Sequence, residues 1–103
     1  MLKCIYMERE WLDVKKEEQQ LLQQIHLAYN DVVKTSPEFA KLLLGAYQSI
    51  EKGESYQIIC TRIGYACAKY ALSHYSELTE NVANCIQLIE KIDRTYRGWA
   101  TII

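Results

Sequence analysis

Residues that break helices are scarce in this chain, and this scarcity constrains its fold more than any other feature. One Pro and four Gly occur among 103 residues. Leu, Ile, Glu, Lys and Gln are abundant, and this composition favours long helices over strands joined by tight turns. A chain of this length has room for one hydrophobic core. We therefore predict one all-α domain covering residues 1–103.

Apolar residues recur in four segments at the spacing of a helix with one buried face. The predicted helices cover approximately residues 13–34, 37–52, 56–74 and 80–97, followed by a short aperiodic tail at 98–103. Four such helices with short connections favour an antiparallel up-down-up-down four-helix bundle. The predicted buried faces are Leu21, Leu22, Ile25, Ala28, Tyr29, Val32 and Val33; Phe39, Leu42, Leu43, Ala46, Tyr47 and Ile50; Ile59, Ile63, Ala66, Cys67, Tyr70 and Ala71; and Val82, Cys85, Ile86, Ile89, Ile92 and Tyr96.

Residues typical of helix ends set the predicted boundaries. Ser36 followed by Pro37 predicts the start of the second helix, because a hydroxyl can cap free N–H groups and proline needs no N–H there. Gly53 predicts its end through a left-handed cap. Hydroxyl caps are also predicted before the third helix, at Ser55, and before the fourth, at Thr79. Gly98 is the predicted end of the fourth helix.

Charge and hydropathy exclude several classes of protein. The 12 basic and 13 acidic residues give a net charge of −1, so the positive field needed to bind nucleic acid is missing. No run of about 20 apolar residues predicts a membrane span. Glu8 and Glu10 interrupt the beginning of the chain before a signal peptide could develop. We expect a cytoplasmic protein with no stable membrane insertion and at most transient contact with the inner face of the membrane.

The histidines and cysteines offer few candidate chemical sites. His26 has no second ligand at the helical spacing of a metal site, and Glu77, three residues after His74, lies beyond the predicted third helix, so we expect a solvated His26 and a helix-end role for His74. The four cysteines are Cys4, Cys60, Cys67 and Cys85. We interpret them as reduced and as packed in the core. Cys60 and Cys67 share one face of the third helix and Cys85 could meet them from the fourth, so a thiol site is the alternative.

No catalytic constellation, metal site or cofactor motif is present in the sequence, so we expect a protein that is not an enzyme. Eight tyrosines are a mild excess, and some of those around the third helix must face outward, where they suit an interface. The tail contains Trp99, Ile102 and Ile103, which something must cover. Either it folds back between the third and fourth helices, or it is presented to a partner.

The order of these features resembles the enterocin A immunity family, whose small cytosolic members protect producers of pediocin-like (class IIa) bacteriocins from their own peptide. The resemblance runs from about Leu21 to Ile103. It rests on a polar first helix, a second helix closing in residues 47–53, a third with Ile59, Arg62 and Ile63, and the start of the fourth at Leu78 and Thr79. An aromatic tail containing Gly98 completes the order.

This resemblance implies a partner and a site. Family members are antiparallel four-helix bundles that act from inside the cell on the membrane-embedded mannose phosphotransferase permease bound to bacteriocin. Their C-terminal half is thought to determine which bacteriocin is countered. Carried onto this chain, it implicates the hairpin of the third and fourth helices and the tail, with a partner-binding set consisting of Tyr96, Arg97, Gly98, Trp99, Ile102 and Ile103. Trp99 would be the buried anchor and Arg97 a charged contact or carbonyl cap.

The composition also fits a different class of protein, a small helical adaptor or regulator that binds a cytosolic partner through its helix faces. We expect a monomer or a weak dimer, and in an adaptor the helix faces would form a homodimer or heterodimer interface. An adaptor should tolerate loss of the residues from Trp99 to Ile103, whereas an immunity protein should lose its activity.

Overall fold

Four α-helices make up most of the chain. The computed structural model describes the backbone of residues 2–102 and the side chains of residues 15–97. Helix α1 covers Leu2–Val32, α2 Pro37–Glu51, α3 Tyr56–Ser73 and α4 Glu80–Ile102, with a 3-10 turn at Tyr75–Glu77 before α4. No strand occurs in residues 2–102, and the all-α prediction is confirmed.

The helices form a closed ring. Helix α1 packs against α2 and α4, and α3 packs against the same two helices, most extensively against α4. Asp31, late in α1, meets Thr79 at the start of α4, whereas Glu17, earlier in α1, lies beside Tyr96 late in α4. Helices α1 and α4 are therefore antiparallel, as the predicted four-helix bundle requires.

One core collects the apolar faces of all four helices. Val33, predicted to be buried, is 37% exposed, because α1 ends at Val32 and Val33 lies in the following turn. The other predicted faces are buried or half-buried. The buried residues are Leu21, Ile25, Ala28, Val32, Phe39, Ala40, Leu43, Ala46, Ile50, Tyr56, Ile59, Cys60, Ile63, Cys67, Val82, Cys85, Ile86, Ile89 and Ile92.

Helices α1 and α4 extend beyond their predicted bounds. Helix α1 begins at Leu2 and not near residue 13, because no Gly or Pro precedes Pro37 to interrupt it. Helix α4 continues through Gly98 to Ile102, so the aperiodic tail predicted from residue 98 is wrong as far as Ile102. A glycine inside a helix costs only about 1 kcal/mol relative to alanine, and Trp99 continues the helical spacing of the residues before it.

At the three junctions between consecutive helices, the boundaries lie close to the predicted positions. The predicted side-chain caps form at only some of them. The backbone at Gly53 has φ +102°, and its N–H and that of Glu54 close back onto the carbonyls of Ile50 and Ser49, which is a Schellman cap. Ser36 and Ser55 precede α2 and α3, but neither side chain caps the helix.

Thr79 supplies the side-chain cap of α4. Its Oγ1 accepts a hydrogen bond from the N–H of Val82 at 3.2 Å, and its hydroxyl donates to Oδ2 of Asp31 at 2.6 Å. One hydroxyl therefore caps α4 and joins it to the end of α1.

We expect Thr79→Ala to lower the free energy of unfolding by about 1–2 kcal/mol, because it removes both the cap and the contact with Asp31. Ser55→Ala is the matched control, since Ser55 occupies the same position before α3 without a side-chain cap; it should cost less than about 0.5 kcal/mol. Urea unfolding monitored by circular dichroism measures both. Equal losses in the two variants would contradict the role given to Thr79.

Candidate partner-binding surface

Two of the predicted partner-binding residues, Tyr96 and Arg97, belong to the part of the chain whose side chains are described. The backbone of Gly98, Trp99 and Ile102 belongs to α4, but the side chains of Trp99 and Ile102, and the whole of Ile103, lie outside the described residues. Their role in binding a partner stays a prediction.

Tyr96 is half-buried and lines a cavity of about 370 Å³ at the junction of α1, α3 and α4. The Oε1 of Glu17 accepts a hydrogen bond from the hydroxyl of Tyr56 at 2.7 Å, which ties α1 to the first residue of α3. Burial, followed by this hydrogen bond, raises the pKa of Tyr56 above its usual range, so the phenol stays protonated. The other residues that line the cavity are Glu17, Gln57, Ile92 and Thr95.

Arg97 is held on the surface by a contact within α4. Its Nε donates to Oδ1 of Asp93 at 2.8 Å, and its side chain remains 61% exposed. An exposed pair of this spacing adds only about 0.3–0.5 kcal/mol to stability. Its main effect is therefore to restrict where the guanidinium points.

Gly64 in α3 makes room for the Asp93 carboxylate. A Cβ built on Gly64 would lie 2.8 Å from Oδ2 of Asp93, closer than such atoms approach in real structures. The other oxygen of this carboxylate, Oδ1, accepts the hydrogen bond from Nε of Arg97. The position of Arg97 therefore depends on the absence of a side chain at Gly64 in the neighbouring helix. The sequence does not reveal this relation.

The three core cysteines lie where the sequence predicted that they could meet. Cys60 and Cys67 of α3 and Cys85 of α4 are free thiols with no exposed surface. Burial is the largest cause that raises the pKa of each to about 12. The thiols remain protonated at neutral pH, and this supports packing over a reactive thiol site.

Sequence reasoning missed an aromatic stack at the opposite end of the bundle. The ring of Tyr70 stacks on Phe39 with centroids 4.0 Å apart, and on His74 at 4.2 Å. The hydroxyls of Tyr70 and Ser36 share a hydrogen bond of 2.8 Å. This contact explains why Ser36 does not cap α2. The four-residue spacing of Tyr70 and His74 was the signal available in the sequence.

Both histidines have local roles. The Nδ1–H of His74 donates to the backbone oxygen of Tyr70 at 3.2 Å, so this histidine caps the end of α3 as predicted. His26 is exposed and accepts a long hydrogen bond from Asn30 at 3.4 Å. Among the described residues, no three His, Cys, Asp or Glu side chains come together as metal ligands would.

The aromatic stack borders two hollows. An open groove of about 630 Å³ lies between the start of α2 and the second half of α3. A smaller one of about 460 Å³ adjoins the cap at Thr79.

Within the part of the chain that the structure describes, no helix combines the length and the apolar character needed to span a bilayer.

We expect Gly64→Ala and Gly45→Ala to change stability in opposite directions. Gly45 lies within α2 with no neighbour near a new methyl group, so alanine should raise the free energy of unfolding by about 0.5–1 kcal/mol through helix propensity. At Gly64 the new methyl group displaces Asp93, and we expect a net loss of about 1 kcal/mol. Chemical denaturation measures both, and equal stabilisation by the two alanines would contradict the packing described for Asp93.

We expect stability to fall as the pH rises above about 9. In the unfolded chain the thiols ionise near their ordinary pKa of 9.0, whereas in the folded chain they keep their protons until about 12. Within this window the unfolded state loses protons that the folded state retains, so alkali favours unfolding by about 1 kcal/mol per thiol at pH 10. Urea unfolding at pH 8 and pH 10 measures the loss. Cys67→Ala should make the loss of unfolding free energy between pH 8 and pH 10 smaller by about 1 kcal/mol, the contribution of one thiol. An unchanged pH dependence would contradict burial of that thiol.

Comparison with known proteins agrees with this architecture. A sequence model of the bacteriocin immunity protein family matches residues 16–93, which is most of the bundle. The hiracin-JM79 immunity factor of Enterococcus hirae is 27% identical to the chain over 92 residues, covering 88% of this chain and 96% of that protein. No solved structure matches the chain significantly. Because the family model covers more than half of the residues, this chain belongs to the bacteriocin immunity protein family.

Proposed function

We propose that this chain protects the cell that makes it against a pediocin-like bacteriocin, acting from the cytosol on the complex of that peptide with a membrane-embedded mannose phosphotransferase permease. The observation that carries the proposal is the family match across residues 16–93. The similar protein from Enterococcus hirae, described as an immunity factor for hiracin-JM79, supports the same function.

Protection on this proposal is a matter of binding and not of catalysis. The most nucleophilic side chains of the described core are the thiols of Cys60, Cys67 and Cys85, which are buried and protonated. A rigid bundle can still change the state of a partner if it binds one conformation of that partner more tightly than another. We infer that the chain stabilises a closed state of the permease with its bound peptide, so that leakage stops.

The surface used is, on this proposal, the C-terminal end of α4, comprising Tyr96, Arg97, Gly98, Trp99, Ile102 and Ile103. The exposed guanidinium of Arg97 supports it, since Asp93 restricts its direction before a partner arrives. The cavity beside Tyr96 offers a place for an apolar side chain of the partner. Trp99 would provide the largest contact area in this set.

The test is growth of a bacteriocin-sensitive host that expresses this chain, challenged with a panel of pediocin-like peptides. We expect the full chain to raise the inhibitory concentration of at least one peptide, and Trp99→Ser to reduce that protection by at least about tenfold, since loss of a buried anchor costs about 2 kcal/mol or more. A version that ends at Gly98 should behave like Trp99→Ser.

The matched control is Leu44→Ser, which removes an exposed apolar side chain from α2. It should protect as well as the unmodified chain, and circular dichroism should give all variants the same helical content. Protection that survives both changes at the end of α4 would contradict the proposed surface. A full chain that protects against no member of the panel would contradict the proposed function and favour the adaptor.

A further inference from the structure

Helix α3 carries a second apolar stripe on its outer side. Ile58, Tyr65 and Leu72 follow one another at intervals of seven residues and are 45%, 76% and 83% exposed. Tyr75, which is 82% exposed, lies just beyond Leu72, in the 3-10 turn after α3. We call these four residues the outer α3 stripe. It is separate from the inner face of α3, where Ile59, Cys60, Ile63 and Cys67 enter the core.

The spacing of the stripe is that of a seam between two helices. If Ile58, Tyr65 and Leu72 are the first positions of successive heptads, then the fourth positions are Thr61, Ala68 and Tyr75. Thr61 and Ala68 are half-buried and small, so they leave room between the larger side chains. This alternation is what a second helix needs in order to pack its own side chains into the row.

The stripe has a positively charged margin. Arg62 and Lys69 are exposed, and each follows a stripe residue by four positions, so each lies one turn further along the same side of α3. Helix α3 contains no Asp or Glu between Tyr56 and Ser73, although the chain as a whole has a net charge of −1. No carboxylate of α3 itself can therefore neutralise the charges of Arg62 and Lys69.

We propose that the outer α3 stripe is a docking surface for an amphipathic helix of a partner protein, with carboxylates on that helix facing Arg62 and Lys69. The α-helical part of the stripe is about 21 Å long from Ile58 to Leu72, enough for nearly four turns of a docked helix. Apolar contact along the row supplies the attraction. The charged margin selects an acidic helix over a basic one.

A second copy of this chain fits the stripe less well than an acidic helix. Pairing two outer stripes brings the positively charged margins of both copies together, and α3 contributes no carboxylate to offset the repulsion. A lipid surface also fits less well, because two cations add only about 1 kcal/mol each toward anionic headgroups. These two occupants are alternatives that the experiment distinguishes.

This inference goes beyond the proposed function, because it concerns a different surface from the end of α4 and does not require the identity of the bacteriocin. The probes are two synthetic peptides of three heptads, with Leu at the first and fourth positions and either Glu or Lys at the fifth and seventh. Fluorescence anisotropy of the labelled peptide at low salt measures binding to the full chain. We expect the Glu peptide to bind at least about tenfold more tightly than the Lys peptide.

Variants of the stripe and of its margin test the two parts separately. Tyr65→Ser combined with Leu72→Ser should weaken binding of the Glu peptide at least about tenfold. Arg62→Glu combined with Lys69→Glu should reverse the preference, so that the Lys peptide binds more tightly. All four side chains are exposed, so thermal unfolding should remain within a few degrees of the unmodified chain. The matched control is Val33→Ser combined with Leu44→Ser, which removes exposed apolar side chains from other faces and should not affect binding.

Four results would overturn the proposal. The first is no binding of either peptide, and the second is equal binding of both. The third is a dimer in sedimentation equilibrium that Leu72→Ser dissociates, which would assign the stripe to a second copy. The fourth is Leu72-dependent binding to vesicles of phosphatidylcholine and phosphatidylglycerol without peptide binding, which would assign it to a membrane surface. Loss of the proposed protective function would leave these measurements unaffected, so failures of the two proposals are distinguishable.

Discussion

The packing of α3 against α4 determines what the rest of the molecule can present. This interface is the most extensive contact between two helices in the structure, and the buried residues of the two helices include four small ones, Cys60, Gly64 and Cys67 from α3 and Cys85 from α4. Small side chains allow two helices to approach closely. The carboxylate of Asp93 uses that closeness, because it lies over Gly64 and reaches Arg97 from there. The packing of the core and the position of Arg97 on the surface are therefore linked through Gly64, which has no side chain.

Much of this fold follows from the sequence because its signals are local. The spacing of residues such as Leu21, Ile25 and Ala28 reports which face is buried, and this spacing does not depend on which helix lies opposite. Gly53 gives the end of α2 for a similar reason, since its left-handed backbone is a property of one residue. Gly98 was misleading because glycine permits a helix to end without requiring it. The apolar spacing that passes through it was the better guide.

The parts that sequence reasoning did not reach depend on contacts between distant residues. Ser36 has the correct type and position for a cap, yet its hydroxyl bonds to Tyr70, 34 positions later in the chain. The relation of Gly64 to Asp93 likewise joins two helices. The sequence predicted that some tyrosines around α3 face outward, as Tyr65 and Tyr75 do, but not that they form one row with Ile58 and Leu72, because α3 is apolar on two sides. With apolar residues on two sides of one helix, the periodicity that each side would show alone is weakened. Only the exposure of Tyr65 and Leu72 in the structure distinguishes the outer row from the buried face.

The extent of the family match suggests how such a bundle can keep its fold while its partner changes. The match ends at residue 93, and Asp93 is the side chain that orients Arg97. The cap at Thr79 and the buried core residues that the structure describes, from Leu21 to Ile92, lie within the matched region. The residues proposed to bind the partner follow it. Among the described residues beyond 93, none has a fully buried side chain, so that on our proposal specificity can vary there at little cost in stability.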